Sequence, residues 1–290
     1  MAAARRETGP GRVTGRSFVV IGATSGIGAA TARLLTAEGA DVVFAGRRQA
    51  EGDALAAELG PHAVFQRADL TVESDVEALV ATALERHGKL DGLVNCAGES
   101  LKGSPVAETD VAEFERLVAM LAGGAMVATK HAARAMLPRG EGSIVLTGSV
   151  AAYAGGWSGF AYSAGKAALL QVMRCAAVEL GESGIRVNSV SPGPILTGMF
   201  AKAAGVDPSE ADRMEPPEQA FREGVATWQP MKKVGLARDV ASTAVWLLSE
   251  ASGFVNGADI PVDGGISAGR PASVGLPARA AMAAAFKKGD

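Results

Sequence analysis

A chain of 290 residues with 48% hydrophobic and 20% charged residues is long enough to bury a substantial core, in one large domain or two small ones. Its formal net charge of −3 and the lack of a dense Lys/Arg run exclude nucleic acid and anionic membrane surfaces as expected partners. The two cysteines, Cys96 and Cys175, are too few for a disulfide framework and fit a reducing compartment. No apolar run approaches the ~18 residues of a membrane span, so we expect a cytoplasmic protein.

The first predicted elements follow a short tail. Residues 1–14 are rich in Gly, Arg and Ala and are predicted to be flexible. Residues 17–21 form a nearly continuous apolar run, which is typical of a strand buried on both faces. Apolar residues then recur at helical spacing over 27–38, and Gly39 is a typical helix stop. The chain therefore begins with a strand and a helix.

Strands and helices continue to alternate along the chain. Further strands are predicted at 41–45, 63–67, 90–95, 143–147, 185–190 and 260–262. Further helices are predicted at 49–59, around 76–84, and at 111–137, 162–180 and 239–248. This pattern predicts one α/β domain over 15–267, a doubly wound Rossmann fold with a parallel sheet of about seven strands. Residues 198–230 interrupt the alternation, and 268–290 form an extension with a short helix at 278–286.

A glycine-rich loop joins the first strand to the first helix. Its residues are Gly22, Ala23, Thr24, Ser25, Gly26, Ile27 and Gly28. In a dinucleotide-binding fold such glycines permit a tight turn and a close approach of the backbone to pyrophosphate, and the helix N-terminus favours the phosphate charge. The alternative is a glycine-rich turn that binds no ligand. The strand before the loop and the helix after it favour a phosphate site.

The residues after the second strand indicate the type of dinucleotide. A carboxylate there would bind the adenosine ribose diol, whereas an arginine would accommodate a 2′-phosphate. Here Gly46 is followed by Arg47 and Arg48, which offer two guanidinium groups for charge-assisted contacts. We therefore expect NADP(H) rather than NAD(H). The alternative is that both arginines are solvated residues at the start of a helix.

A tyrosine and a lysine lie one helical turn apart later in the chain. Tyr162 and Lys166 are four residues apart, so they share one face of the predicted helix. A neighbouring ammonium is expected to lower the phenol pKa from ~10 and make the hydroxyl a usable acid or base. Ser149, just beyond the 143–147 strand, is expected to hydrogen-bond the reacting oxygen. Such a pair is also common on helix surfaces, and the upstream glycine loop favours the catalytic interpretation.

Together these motifs resemble the short-chain dehydrogenase/reductase family over roughly residues 15–267. Ser149, Tyr162 and Lys166 fall on the family's catalytic serine, tyrosine and lysine. The resemblance implies that the cofactor is bound by Tyr162, Lys166 and a larger set, namely Gly22, Thr24, Ser25, Gly26, Ile27, Gly28, Arg47, Arg48, Asp69, Leu70, Asn95, Ala97, Gly98, Pro192, Gly193, Ile195 and Thr197. It also implies a homo-oligomer, a tetramer or dimer, built on the helices at 111–137 and 162–180.

One position departs from the family pattern. The family usually has an asparagine midway along the long fourth helix, where it supports a proton relay through water and the lysine. That position falls on Leu121, and Cys96 stands where the family usually has the second asparagine of an Asn-Asn-Ala-Gly motif. Since a leucine neither donates nor accepts a hydrogen bond, a relay would have to use water or another residue.

The expected function is NADP(H)-dependent hydride transfer between nicotinamide and a carbonyl or secondary alcohol carbon of a small substrate. The alternatives are a cofactor-binding protein with little catalysis, an NAD(H)-dependent dehydrogenase, and a non-redox lyase or isomerase. Apolar residues in and near 198–230 predict a mainly apolar substrate, or else they simply pack that segment onto the domain: Tyr153, Trp157, Phe160, Met199, Phe200, Met214, Phe221 and Trp228. The three histidines lack ligand spacing, so no metal site is expected.

Overall fold

A computed structural model describes residues 11–99, 103–203, 205–211, 218–225 and 227–286. Its strands are β1 (Ser17–Ile21), β2 (Asp41–Gly46), β3 (Ala63–Arg67), β4 (Gly92–Asn95), β5 (Gly142–Thr147), β6 (Ile185–Pro192), β7 (Ile195–Leu196), β8 (Gly235–Leu236) and β9 (Asp259–Val262). Its α-helices are α1 (Gly26–Ala37), α2 (Gln49–Leu59), α3 (Glu73–His87), α4 (Val111–Val118), α5 (Gly124–Met136), α6 (Phe160–Gly181), α7 (Met199–Ala203), α8 (Pro208–Ala211), α9 (Glu218–Val225), α10 (Ala237–Leu248) and α11 (Ala272–Phe286).

Seven strands form one parallel sheet in the order β3-β2-β1-β4-β5-β6-β9. The order reverses between β1 and β4, so the crevice outside the carboxyl ends of these two strands is the expected ligand site of an open α/β sheet. The predicted doubly wound fold with about seven parallel strands is confirmed. A second, two-stranded sheet of β7 and β8 was not predicted, because two-residue strands carry no periodicity.

Alternate side chains of the central strands pack on opposite faces of this sheet, because successive residues of a strand point to opposite sides. Val19 belongs to the core that includes residues of α3, α5 and α6, whereas Val20 belongs to the core that includes residues of α1 and α10. Both valines are fully buried. The helices on the two faces therefore hold the sheet between two apolar layers, and leave its carboxyl edge to the connecting loops.

The long predicted helix at 111–137 is interrupted. A π-helical segment at Ala119–Gly123 separates α4 from α5, and Leu121 lies inside it and is buried. Such π segments often lie at functional sites. At the other end of the chain α11 is longer than the predicted 278–286, although Pro277 lies within it. A proline removes one helical hydrogen bond, which is why the sequence indicated a later start.

Residues 11–14 pack against the domain, although they were assigned to the tail from their composition. Val13 is fully buried, and Arg12 forms an ion pair of 2.5 Å with Glu38. The structure does not describe residues 1–10. No helix in the described parts of the chain is long and apolar enough to cross a membrane.

A buried carboxylate ties together the amino-terminal edge of the sheet. Asp91 accepts hydrogen bonds from the Ser17 backbone N–H at 2.8 Å and from Arg139 at 3.0 Å, and forms an ion pair with Lys89. Burial favours the neutral acid, but these donors outweigh it and lower the pKa of Asp91. The cluster lies at the edge of the sheet opposite the ligand crevice, so we assign it to stability.

Candidate active site

The glycine loop between β1 and α1 is packed against the end of β4. Gly22 has φ of +77°, which favours glycine, and a Cβ built on it would lie 2.5 Å from the Ala97 backbone nitrogen. Asn95, at the end of β4, accepts a hydrogen bond of 3.1 Å from the same nitrogen. A side chain at position 22 would therefore clash with the backbone of the 95–98 segment, so glycine is what allows this loop to turn tightly against the end of β4.

The N-terminus of α1 is open towards this cradle. Ser25 occupies the N-cap position without a side-chain cap, and the first turn carries no acidic residue. Its backbone N–H groups are therefore available to an anion. On the other side, the Thr197 Cγ2 methyl lies 3.5 Å from the position of a Cβ on Gly26. The structure thus places Thr197 of the 192–197 segment next to the glycine loop.

Arginine side chains surround the carboxyl ends of β2 and β3. Gly46 pairs with Arg67 in the parallel register, and the Arg67 guanidinium donates to the Arg47 carbonyl at 3.1 Å. Arg48 extends back to the loop and donates to Thr24 Oγ1 at 2.9 Å. A Cβ on Gly46 would lie 2.7 Å from Thr24 Cγ2, so a carboxylate side chain at this position would require Thr24 to move.

Asp69 lies beside these arginines. Its carboxylate accepts hydrogen bonds from the backbone and side chain of Thr71. Although burial opposes ionisation, those bonds and the charges of Arg47 and Arg67 lower the pKa of Asp69, so it is charged at neutral pH. Leu70 is buried and packs against Gly124 of α5. The pair predicted from the family resemblance therefore divides into one polar residue at the crevice and one core residue.

Ser149, Tyr162 and Lys166 converge at the carboxyl end of β5. Ser149 follows β5, and its hydroxyl accepts a hydrogen bond of 3.1 Å from the Ala151 backbone. The Lys166 ammonium lies 5.6 Å from the centre of the Tyr162 ring, and one turn of α6 separates the two residues. The structure therefore places the three side chains next to one another, with Ser149 within hydrogen-bonding reach of Tyr162.

The lysine is held by the backbone of β5. Lys166 is 2% exposed, and its ammonium donates to the Thr147 carbonyl at 2.6 Å. A Cβ on Gly98 would lie 3.7 Å from the Lys166 nitrogen and 3.9 Å from a Leu121 methyl. Leu121 therefore supplies apolar surface next to the ammonium, where the family usually has a polar side chain.

The pKa values of this pair differ from the sequence-based expectation. Burial raises the pKa of the Tyr162 phenol, while the hydrogen bond with Ser149 acts in the opposite direction. Burial also lowers the pKa of Lys166 from 10.5 to about 8, against the effect of Cys96. The expectation that the ammonium lowers the phenol pKa is therefore wrong in this structure, because desolvation of the phenol dominates.

Comparison with known proteins assigns the chain to a family. A family model described as enoyl-(acyl carrier protein) reductase matches residues 22–267. The chain is 39% identical over 282 residues to sex determination protein tasselseed-2 of Zea mays, covering 90% of this chain and 84% of that protein. A solved short-chain type dehydrogenase/reductase from Mycobacterium ulcerans superposes with a TM-score of 0.79 at 33% identity, covering 91% of this chain and 95% of that one. The chain belongs to the short-chain dehydrogenase/reductase family.

As a short-chain dehydrogenase/reductase the protein is an oxidoreductase, and the family uses NAD(P)(H). A relative whose name specifies its reaction is the 2,5-dichloro-2,5-cyclohexadiene-1,4-diol dehydrogenase of Sphingobium indicum, 36% identical over 257 residues, with 88% of this chain and 98% of that protein covered. No group of three or more potential metal ligands occurs among the described residues.

The structure describes most, but not all, of the aromatic and other apolar residues expected around the substrate. Tyr153, Trp157 and Phe160 are exposed, and the Phe160 ring lies 5.8 Å from that of Phe114, beside a cleft that Tyr162 also lines. Trp228 and Phe200 are exposed as well. Met214 lies outside the described residues, and the side chain of Phe221 is not described either.

Sequence reasoning missed two groups at the site. Arg67 was not singled out, although it ends a predicted strand next to the one that precedes Arg47, and the ends of neighbouring parallel strands meet at one edge of a sheet. The Thr147 carbonyl was missed as the partner of Lys166. A backbone carbonyl carries no sequence signal, so only the structure identifies it.

Proposed function

We propose that this oxidoreductase uses NADP(H) to interconvert a small, mainly apolar ketone and its secondary alcohol, with Tyr162 as the proton donor or acceptor. The observation that carries this proposal is the continuity of the site. The glycine loop contacts the 95–98 segment, and Gly98 adjoins the Lys166 ammonium beside the Tyr162 ring. A cofactor cradle and an acid–base residue therefore share one crevice.

The bound dinucleotide would supply or accept the hydride. During reduction the Ser149 hydroxyl would hydrogen-bond the substrate oxygen, and the Tyr162 phenol would transfer its proton to that oxygen as negative charge develops there. The raised pKa of Tyr162 keeps the phenol protonated at neutral pH and suits it to this donor role. During oxidation the phenolate would accept the proton from the alcohol, so oxidation is favoured at higher pH.

Lys166 would hold the nicotinamide ribose and restore the proton of Tyr162. Its pKa of about 8 makes the ammonium a proton donor close to neutral pH. Since Leu121 offers no hydrogen-bonding group beside it and the Thr147 carbonyl can only accept a hydrogen bond, the ammonium of Lys166 would be reprotonated by water in the crevice. This path replaces the asparagine that the family usually has in the fourth helix.

The preference for a 2′-phosphate rests on three arginines. Arg47, Arg48 and Arg67 lie at the ends of β2 and β3, and Gly46 leaves no carboxylate to repel the phosphate. Asp69 lies beside Arg47 and Arg67, and its carboxylate is hydrogen-bonded to Thr71.

Arg47→Ala should lower the ratio of kcat/KM for NADPH over NADH by about 10–100-fold, since a hydrogen bond to a charged group contributes ~1.5–3 kcal/mol. The kcat/KM for NADH should stay within about twofold of that of the unmodified protein. Arg33→Ala, which removes a solvent-exposed ion pair between Arg33 of α1 and Glu58 of α2, is the matched control. A ratio unchanged by Arg47→Ala would exclude this arginine from 2′-phosphate recognition.

The substrate class is tested by a panel of ketones. With NADPH, consumption of cyclohexanone and cyclohexane-1,4-dione should exceed that of the open-chain glycerone, as followed by the absorbance of reduced nicotinamide. The cyclic compounds are chosen because one relative is named as a dehydrogenase of a cyclohexadiene diol. Turnover of none of these ketones, and of none of the corresponding alcohols with NADP⁺, would contradict the proposal.

We also propose that copies of this chain associate through the helices of the 111–136 and 160–181 regions. Met126 of α5 and Val178 of α6 expose 52% and 77% of their surface and offer apolar area for such contacts. A cytoplasmic location is part of the proposal, because both Cys96 and Cys175 are free thiols.

A further inference from the structure

A second polar cluster lies next to the catalytic segment and has no part in the mechanism above. The Asp259 carboxylate on β9 accepts hydrogen bonds from three hydroxyl groups. The Tyr153 phenol donates at 2.5 Å, Ser189 at 2.6 Å, and Ser191 at 2.8 Å to one oxygen and 3.0 Å to the other. Ser189 and Ser191 are fully buried on β6.

The carboxylate has no ion-pair partner in the part of the chain that the structure describes. Its charge is therefore satisfied by oriented hydroxyl groups, each of which must keep its proton on the side of Asp259. Burial and the nearby carboxylate raise the pKa of Tyr153 well above 10, so its phenol stays a donor at any working pH. Charge-assisted bonds of this kind fix the positions of the groups that make them.

Two of the residues that donate these hydrogen bonds act on the chain on either side of Ser149. Tyr153 immediately follows the short 3₁₀ turn Val150–Ala152, whose N-cap is Ser149. The turn is closed by the Tyr153 backbone N–H, which donates to the Val150 carbonyl at 3.0 Å. On the other side, the Ser191 hydroxyl lies directly against Gly148 and leaves no room for a Cβ there. One carboxylate therefore holds the chain at residue 153 and supports it at residue 148, with Ser149 between.

We propose that Asp259 is a positioning residue that fixes the Ser149 hydroxyl in the active site through Tyr153 and Ser191. This inference rests on the proposed role of Ser149. The physical reason is that a hydroxyl aimed at a substrate oxygen contributes to the rate only if its location is set before the reaction, and a displacement of about 1 Å can cost ~10²-fold. Asp259 touches neither substrate nor cofactor in this account and acts only on the segment that carries the serine.

A double-mutant cycle tests the inference, with NADPH and cyclohexane-1,4-dione as the substrates. Asp259→Asn should lower kcat about 10–100-fold, while KM for NADPH stays within threefold. Ser149→Ala should lower kcat by about 10²–10³-fold, the usual effect of removing one such donor. In the Ser149→Ala background, Asp259→Asn should cost less than about twofold, because the group that it positions is already absent.

Two further variants make the result specific. Tyr153→Phe keeps the carboxylate and both serines and should repeat the same non-additive pattern with a smaller loss, which keeps the test valid if Asp259→Asn folds poorly. Asp91→Asn removes a buried carboxylate at the opposite edge of the sheet and should lower Tm with kcat unchanged.

The outcomes are distinct. Losses that multiply in the double variants, or an Asp259→Asn variant with normal kcat and a lowered Tm, would show that the cluster is merely structural and would overturn the inference alone. A Ser149→Ala variant with normal kcat would overturn the proposed role of Ser149 and the inference with it. A large single loss that vanishes in the Ser149→Ala background supports both.

Discussion

Replacing Tyr162 with phenylalanine should lower kcat for ketone reduction by about 10³-fold or more, because no other phenol lies beside Lys166. General acid–base catalysis by a positioned side chain contributes typically ~10²–10⁴-fold. Phenylalanine keeps the aromatic ring and removes only the hydroxyl, so Kd for NADPH should stay within about twofold, as measured by fluorescence of the bound cofactor. Cofactor binding and turnover are thereby separated in one variant.

The chain offers its own comparison for this change, since it has only two tyrosines. Tyr153→Phe removes the equivalent hydroxyl from a residue whose phenol donates to Asp259, and it should lower kcat by about tenfold or less. Equal losses in the two variants, or near-normal turnover by Tyr162→Phe, would remove Tyr162 from the proton-transfer step.

Replacing Lys166 with methionine should abolish measurable turnover and at the same time stabilise the protein without cofactor. A pKa lowered from 10.5 to about 8 corresponds to roughly 3 kcal/mol that burial of the ammonium costs at neutral pH. Methionine has a similar volume and no charge, so it removes this cost. It also leaves the Thr147 carbonyl without its hydrogen-bond donor, which reduces the gain in stability by about 1 kcal/mol. The free energy of unfolding at pH 7 should therefore rise by about 1–3 kcal/mol, as measured by urea denaturation.

The pH dependence of that gain has a defined sign. Between pH 8 and 10.5 the unfolded lysine binds more protons than the folded one, so the wild-type free energy of unfolding rises with pH across this window. The advantage of Lys166→Met should accordingly shrink from pH 7 to pH 10.5. Lys130→Met, which removes an exposed partner of Glu73, should show no such trend. A Lys166→Met variant that is less stable at pH 7 would contradict a cost of burying this ammonium.

The fold could be predicted from the sequence because its strands and helices each carry a local apolar pattern, and these patterns alternate along the chain. Runs such as 17–21 and 41–45 are apolar because their strands are covered on both faces, and each is followed by a helix with its own apolar stripe. The π segment at Ala119–Gly123 was not predictable, since it depends on a shift of backbone hydrogen bonds within a continuous helical pattern. The packing of Val13 was also missed, because a single apolar residue in a polar stretch has no period.

The residues of the candidate site that belong to short motifs could be predicted from the sequence. Tyr162 and Lys166 are separated by one turn, so their proximity follows from helix geometry alone. Their pKa values do not follow from spacing, because they depend chiefly on how deeply the fold buries the two groups. The Asp259 cluster joins residues up to 106 positions apart. Its members carry no motif, and only the fold brings β6, β9 and the segment after β5 together.

The central claim is that this crevice transfers a hydride from nicotinamide to a carbonyl carbon while Tyr162 supplies the proton. Its most direct test is reduction of cyclohexane-1,4-dione with NADPH carrying deuterium on either face of the nicotinamide C4, followed by mass spectrometry of the alcohol. We expect one deuterium on the new carbinol carbon from one of the two labelled cofactors, and about 10³-fold less alcohol with Tyr162→Phe over the same time. Alcohol that contains deuterium from neither cofactor would contradict the account.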